Sequence, residues 1–318
     1  MQIAILDDYH GVATSYADWA SLGPDARVQA FREHLPPGPG RAQALAPFDV
    51  IVAMRERMPF PAELIDALPN LKLLITTGMR NNAIDMAACA ARGVVVSGAP
   101  GDSVAVNATS ELAWALILAL FKRIPTEHEA MRHGLWETGM PQVLAGKRLG
   151  VVGLGKLGIA AAQVGKAFGM DVVAWSPNLT DERAAQAGFA RVEKHELFAT
   201  SDVVSVHIVL SERTRKVVDA ASIAAMKPSA FLVNTSRAGL VDQEALFAAL
   251  RDGRLAGAGL DVFEVEPLPA DDPVRKLENV VLTPHLGYVN QGNFENFYRN
   301  ALEAVKAWAA GKPIRVLA

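Results

Sequence analysis

Ten short runs rich in β-branched residues, from QIAIL near the start to NVVLTP near the end, are separated by longer segments rich in alanine and leucine. That alternation builds βαβ units, because neighbouring parallel strands need a crossover and a helix is the usual one. Four runs (QIAIL, FDVIVAM, LKLLITT, GVVVSG) precede a long apolar helix expected from about Val104 to Lys122. Six more (RLGVVG, DVVAW, DVVSVHIVL, SAFLVNTS, LAGAGLDVF, NVVLTP) follow it. Two parallel sheets of an α/β chain are therefore expected rather than one of ten strands, and 318 residues with 51% apolar side chains suffice for two cores. HLPPGPGRAQALAP is too rich in Pro and Gly for an element interior and reads as an exposed loop. The last helix, about Phe294 to Ala310, must cover something, and a return to the first sheet is the expectation. Residues 1–98 and 289–318 then form one discontinuous domain around a middle domain, 99–288, with a ligand in the cleft between them.

Charge and composition narrow the function classes. With 31 basic and 34 acidic residues the net charge is -3, and no basic stripe follows a nucleic-acid backbone, so nucleic acid is not expected as a partner. The longest apolar stretch, Leu112 to Phe121, is about half of the roughly 20 residues that span a bilayer, and reads as a buried helix. MQIAILDDYHG lacks the pattern of a secretory leader, and the single cysteine, Cys89, makes no internal disulfide. A reducing cytoplasm is expected, with Cys89 a small buried thiol in an alanine-rich helix. No metal is called for.

The stretch GVVGLGKLG carries the strongest local signal. A strand runs into Gly153, which permits a tight turn; Gly155 lets a pyrophosphate approach the backbone, and Gly158 lets helix and strand pack closely. The loop Gly153, Leu154, Gly155, Lys156, Leu157 and Gly158 thus reads as a dinucleotide cradle at a helix N-terminus. Gly150, Gly155 and Lys156 also begin a triphosphate-binding loop, but Leu157 has no hydroxyl for magnesium. After the second strand, where a carboxylate would bind the ribose hydroxyls, this chain has Ser176. Arg183 either bends back toward that position or, more simply, is a solvated helix residue. NAD(H) and NADP(H) both stay open.

Three later stretches, FLVNTSRAG, GLDVFEVEP and VLTPHLGY, place Arg237, Glu266 and His285 at or just after strands. A guanidinium fork takes a carboxylate and leans on an adjacent carbonyl oxygen. A histidine beside a carboxylate carries a proton at neutral pH. Together they suit a 2-oxo acid.

The pieces AGKRLGVVGLGKLG, VNTSRAGLVDQEAL, GAGLDVFEVEP and NVVLTPHLG, in this order and spacing, resemble the D-isomer-specific 2-hydroxyacid dehydrogenases over nearly the whole chain. The resemblance implies two doubly wound, Rossmann-like domains, the substrate domain split in sequence, and a dinucleotide on the middle domain. It implies that Arg237 anchors the substrate carboxylate and carbonyl, that His285 exchanges the proton, and that Glu266 partners it. It also implies that Asp261 holds the nicotinamide amide, that Thr235, Ser236 and Gly287 flank the cofactor, and that His207 and Thr214, in HIVLSERT, line its side. Val209 stands where that family has proline.

Other departures concern the substrate. Where the family has G-x-G-x-D-N-I-D, this chain has GMRNNAID, so Gly78 and Met79 fit the loop while Arg80 replaces a glycine. Arg80 either adds a positive contact to substrate or points to solvent, and Arg55 is a further candidate. Ala238 replaces the glycine after Arg237, a change small enough to leave the anchor intact. The expected function is a hydride-transferring oxidoreductase acting on a small 2-oxo or D-2-hydroxy acid. The alternative is a dinucleotide-binding redox sensor or corepressor-like protein on the same scaffold. A homodimer through the middle domain follows from the resemblance, with Trp136 either in that contact or buried in packing. His10, His34, His128, His133 and His195 read as surface or packing residues.

Overall fold

The computed structural model describes residues 1–102 and 107–317. The chain divides into two compact units, Met1–Ala105 with Val289–Ala318, and Val106–Tyr288.

The first unit holds five parallel strands, β1 (Gln2–Ile5), β2 (Arg27–Ala30), β3 (Val50–Ala53), β4 (Leu73–Thr77) and β5 (Val95–Ala99), in the order β2-β1-β3-β4-β5. β3 and β4 are buried at every position, as continuous apolar strands covered on both faces must be. The terminal helix, Gln291–Ala309, lies against β4 and β5. Asn290 caps it by accepting the Asn293 N–H at 2.9 Å, so the helix begins a turn earlier than expected. Phe294, Phe297, Tyr298, Ala301, Leu302 and Val305 form its buried stripe.

Two features of this unit correct the sequence reading. β2, RVQA, was not expected: it is an edge strand whose residues alternate between exposed and half-buried, so it lacks the apolar run that marks the others. The Pro- and Gly-rich stretch is not all loop, because a helix, Pro39–Leu45, forms within it. Pro39 sits in its first turn, where a missing N–H costs nothing, and Leu45 is fully buried at its end.

The second unit is a seven-stranded parallel sheet of β6 (Arg148–Val152), β7 (Asp171–Trp175), β8 (Ala190–Arg191), β9 (Val203–Val206), β10 (Phe231–Asn234), β11 (Gly257–Leu260) and β12 (Val280–Leu282). Its order is β12-β11-β10-β9-β6-β7-β8. β8, only two residues long, was missed, so the sheets have five and seven strands rather than four and six. The chain runs outward through β6, β7 and β8, then crosses back to place β9 on the other side of β6. That reversal opens a crevice at the carboxyl ends of β6 and β9. Alternate residues feed two cores: Val204 and Leu232 pack on one face, Val203 and Val233 on the other.

The long helix is described from Ala108 to Lys122 and packs on β10, β11 and the helix Lys156–Ala167. The part expected from Val104 onward lies, before residue 107, outside the described residues. Among the described residues no helix is long and apolar enough to cross a membrane. Cys89 is buried, and desolvation pushes its thiol up to about 11, which leaves it unreactive as a nucleophile.

Candidate functional site

Each glycine of the loop after β6 meets a different constraint. Gly153 has φ +99°, and a Cβ there would lie 2.8 Å from the Ile208 nitrogen, two residues beyond β9. A Cβ on Gly158 would strike the Gly153 carbonyl oxygen, so this glycine sets how closely helix and strand approach. Gly155 is the reverse case. It caps the helix Lys156–Ala167 with no side chain of its own, and a Cβ on it would meet no protein atom within 4 Å. Space is kept open where free N–H groups of a helix start converge, which suits a phosphate.

A cavity of about 340 Å³ continues from this loop along the ends of β7 and β9. Gly153, Leu154, Gly155, Ser176, His207 and Thr214 all line it. Arg183, for which both a bend toward residue 176 and a solvated position were open, is exposed and lines the same cavity. His207 is buried; its Nε2 is 2.8 Å from the Ser205 hydroxyl, and its Nδ1 has no hydrogen-bond partner among the described residues. Burial lowers its pKa to about 4, so the ring is neutral at physiological pH. Thr214 shapes the loop by donating to the Val209 carbonyl at 2.7 Å while its oxygen accepts the Ser211 N–H at 2.7 Å. The residues present fit a dinucleotide: an open glycine cradle, a cavity leading from it, and unsatisfied buried polar atoms at the strand ends.

At the end of β10, Asn234 straps the following turn. Its side-chain N–H donates to the Arg237 carbonyl at 2.9 Å and its oxygen accepts the Ser236 N–H at 3.0 Å. Ser236 in turn donates through its hydroxyl to the Val206 carbonyl at 2.8 Å. Arg237 leaves this turn in extended conformation, ahead of a short 3-10 turn, Ala238–Leu240, in which Ala238 is buried. Thr235 is buried, and its hydroxyl has no partner among the described residues. Asn234 was not singled out in the sequence; a buried amide at a strand end, directly before the Thr-Ser-Arg run, was the available signal.

His285 and Glu266 meet. The imidazole Nδ1 lies 2.7 Å from Glu266 Oε2, and Oε1 of the same carboxylate accepts the Phe263 N–H at 2.9 Å. Burial pushes the Glu266 carboxyl up, but the His285 hydrogen bond and charge, the Phe263 N–H and the Arg237 charge together hold it below the usual carboxylate range. The Arg237 guanidinium is thus close enough to Glu266 to act on its ionisation. Tyr288 packs edge-on against the imidazole, with ring centroids 5.3 Å apart.

Asp261 organises the segment that carries His285. Fully buried, it accepts the Thr283 hydroxyl at 2.7 Å, the Leu286 N–H at 2.7 Å and the Gly287 N–H at 2.9 Å, while its carbonyl accepts the His285 N–H at 2.9 Å. These bonds hold His285 at φ +54°, an uncommon conformation for a side-chain-bearing residue. Desolvation still raises the Asp261 pKa, against the lowering by Thr283, Leu286, Gly287 and the His285 charge. Gly287 also anchors the long helix, its carbonyl accepting the Thr109 hydroxyl at 2.7 Å.

In the first unit, Arg55 and Gly78 come together. Arg55 follows β3 with φ +51°, its N–H held by the Thr77 hydroxyl at 2.9 Å, and its guanidinium occupies the space that a Cβ on Gly78 would need. Gly78 itself has φ +98°. Met79 folds over Gly98, and Arg80 is exposed. Asn81 secures the loop by donating to the Arg55 carbonyl at 2.7 Å. His34 is half-buried, its Nδ1 2.9 Å from buried Asp7. Trp136 is 75% exposed, which overturns the buried packing alternative for it.

Residues 114–287 match the family model described as D-isomer specific 2-hydroxyacid dehydrogenase, NAD binding domain. Over 317 residues, 99% of the chain, the sequence is 37% identical to a D-3-phosphoglycerate dehydrogenase of Archaeoglobus fulgidus, of whose length it spans 58%. It is 38% identical to a glyoxylate reductase of Korarchaeum cryptofilum over 233 residues, 71% of this chain and 70% of that one. The crystal structure of a phosphoglycerate oxidoreductase from Vibrio cholerae superimposes with a TM-score of 0.91 at 37% identity, covering 98% of this chain and 99% of that one.

Proposed function

The chain belongs to the D-isomer-specific 2-hydroxyacid dehydrogenase family, and from that premise we propose that it is an oxidoreductase transferring a hydride between NAD(P)H and C2 of a small 2-oxo acid. The product of reduction is the D-2-hydroxy acid, and the reverse reaction uses the same groups. The observation that carries this reading is the 2.7 Å contact between His285 and Glu266 in the same unit as the glycine cradle.

The dinucleotide, when bound, supplies or accepts the hydride. Gly153 to Gly158 would hold its pyrophosphate, and the Thr235 hydroxyl and Asp261 would hold its nicotinamide end. Three of the roughly four acceptor sites of the Asp261 carboxylate are taken by Thr283, Leu286 and Gly287, which leaves one for a carboxamide N–H. Arg237 binds the substrate carboxylate and polarises the carbonyl oxygen. His285 gives its Nε2 proton to that oxygen as the hydride reaches C2, so charge and protons balance. Glu266 accepts the Nδ1 proton in a hydrogen bond, fixes the ring and stabilises the imidazolium. Arg55, Gly78, Met79 and Arg80 are candidates for contacts to further substrate groups. We infer a cytoplasmic enzyme that works as a homodimer, a reading supported by the apolar surface that exposed Leu135, Trp136, Met140 and Val143 offer.

A screen of NADH and NADPH against glyoxylate, hydroxypyruvate, 3-phosphohydroxypyruvate and bulkier 2-oxo acids tests the proposal. Substrate-dependent oxidation of either dinucleotide is expected. Silence across the panel, with a dinucleotide firmly bound, would leave a binding protein and no enzyme.

A further inference from the structure

Two arginines and no carboxylate line the cavity that begins at the glycine loop. Ser176 follows β7 where a ribose-binding acid would stand, and Asn178, Arg183 and Arg213 share its wall. Neither guanidinium has a hydrogen-bonded or ionic partner among the described residues. The carboxylates nearest in sequence face elsewhere: Asp181 lies 3.6 Å from Arg191, and Glu212 lies 3.8 Å from Arg215. Glu182 is held by its own backbone N–H and by Thr180. Two unpaired cations beside a hydroxyl and an amide form a receptor for a dianion.

Resting on the dinucleotide reading above, we propose that this chain selects the 2′-phosphorylated cofactor, NADP(H), over NAD(H). The ribose lies at the end of the second strand of such a sheet, so its 2′ substituent falls at Ser176. The Ser176 hydroxyl and Asn178 amide donate to the phosphate, and Arg183 and Arg213 neutralise it. An aspartate at 176 would repel that phosphate; the serine removes the repulsion, and the two arginines supply the attraction. Arg183 reaches the site from the first turn of the helix Asp181–Gln186, where Thr180 accepts its N–H at 3.3 Å.

The test is calorimetric titration of the full chain with NADPH and with NADH, without substrate, at two salt concentrations. NADPH is expected to bind tighter by about ten-fold or more, with the preference narrowing as salt rises because both guanidiniums are exposed. The double variant Arg183→Ala, Arg213→Ala should bring the NADPH:NADH affinity ratio to within about three-fold of unity, and Ser176→Asp should invert it. Reading a ratio on one protein sample separates lost selectivity from lost fold. NADH binding as tightly as NADPH in the unaltered chain overturns the inference and leaves the proposed reaction standing. Failure of both dinucleotides to bind overturns the two together, and a preference that survives both variants overturns the assignment to these residues.

Discussion

Nδ1 of His285 lies 2.7 Å from Oε2 of Glu266, and the other oxygen of that carboxylate is fixed by the Phe263 N–H. The imidazole therefore has one orientation and one ring nitrogen, Nε2, left for chemistry. Glu266→Gln keeps the shape and removes the charge. The rate of 2-oxo acid reduction should fall by about 10²-fold or more, and what remains should disappear at lower pH than in the unaltered enzyme. Unchanged pH–rate profiles would show that the carboxylate is not coupled to the proton transfer.

Gly155 and Gly158 should separate binding from folding. A Cβ on Gly155 meets no protein atom, so Gly155→Ala should fold with stability within about 1 kcal/mol of the parent while losing dinucleotide affinity by ten-fold or more. Gly158→Ala forces the new carbon onto the Gly153 carbonyl oxygen and should lose about 1–3 kcal/mol of stability. Thermal melts with and without dinucleotide give both answers. Tight dinucleotide binding by Gly155→Ala would remove the cradle from the account.

The neutral, buried His207 makes stability depend on pH. Its pKa is lowered from an ordinary 6.5 to about 4, so the unfolded chain binds the extra proton between those values. The stabilisation is complete above pH 6.5 and declines as pH falls toward 4, by up to about 3 kcal/mol. His207→Asn should flatten the fall in Tm across that window. An identical pH dependence in both proteins would mean that other groups cause it.

Asn234 places Arg237 without touching substrate. Asn234→Ala removes both bonds of the strap from a residue that is 1% exposed. A loss of about 1–3 kcal/mol is expected, together with a KM for the oxo acid that rises more than dinucleotide affinity changes. A stability loss with unchanged KM would make the strap purely structural.

Much of this was legible in the sequence, for physical reasons that also explain the misses. Continuous burial makes β3, β4 and β9 apolar runs, and the three glycines mark a turn, an opening and a close approach that other residues cannot supply. Edge strands escape that logic: β2 alternates because it is half-exposed, and β8 is too short to show a pattern. The Pro39 helix was hidden because proline breaks a helix interior yet favours its first turn. Arg183 had two open readings for another reason. Exposure and participation in a cavity are not alternatives for a long side chain, and only the fold brings residue 183 beside residue 176.

The most direct test of the central claim is a paired measurement on His285→Ala, of dinucleotide affinity and of the rate of 2-oxo acid reduction. The account predicts an affinity within about two-fold of the parent and a rate lower by about 10²-fold or more. A variant that binds dinucleotide and still reduces the oxo acid at the parental rate would contradict it.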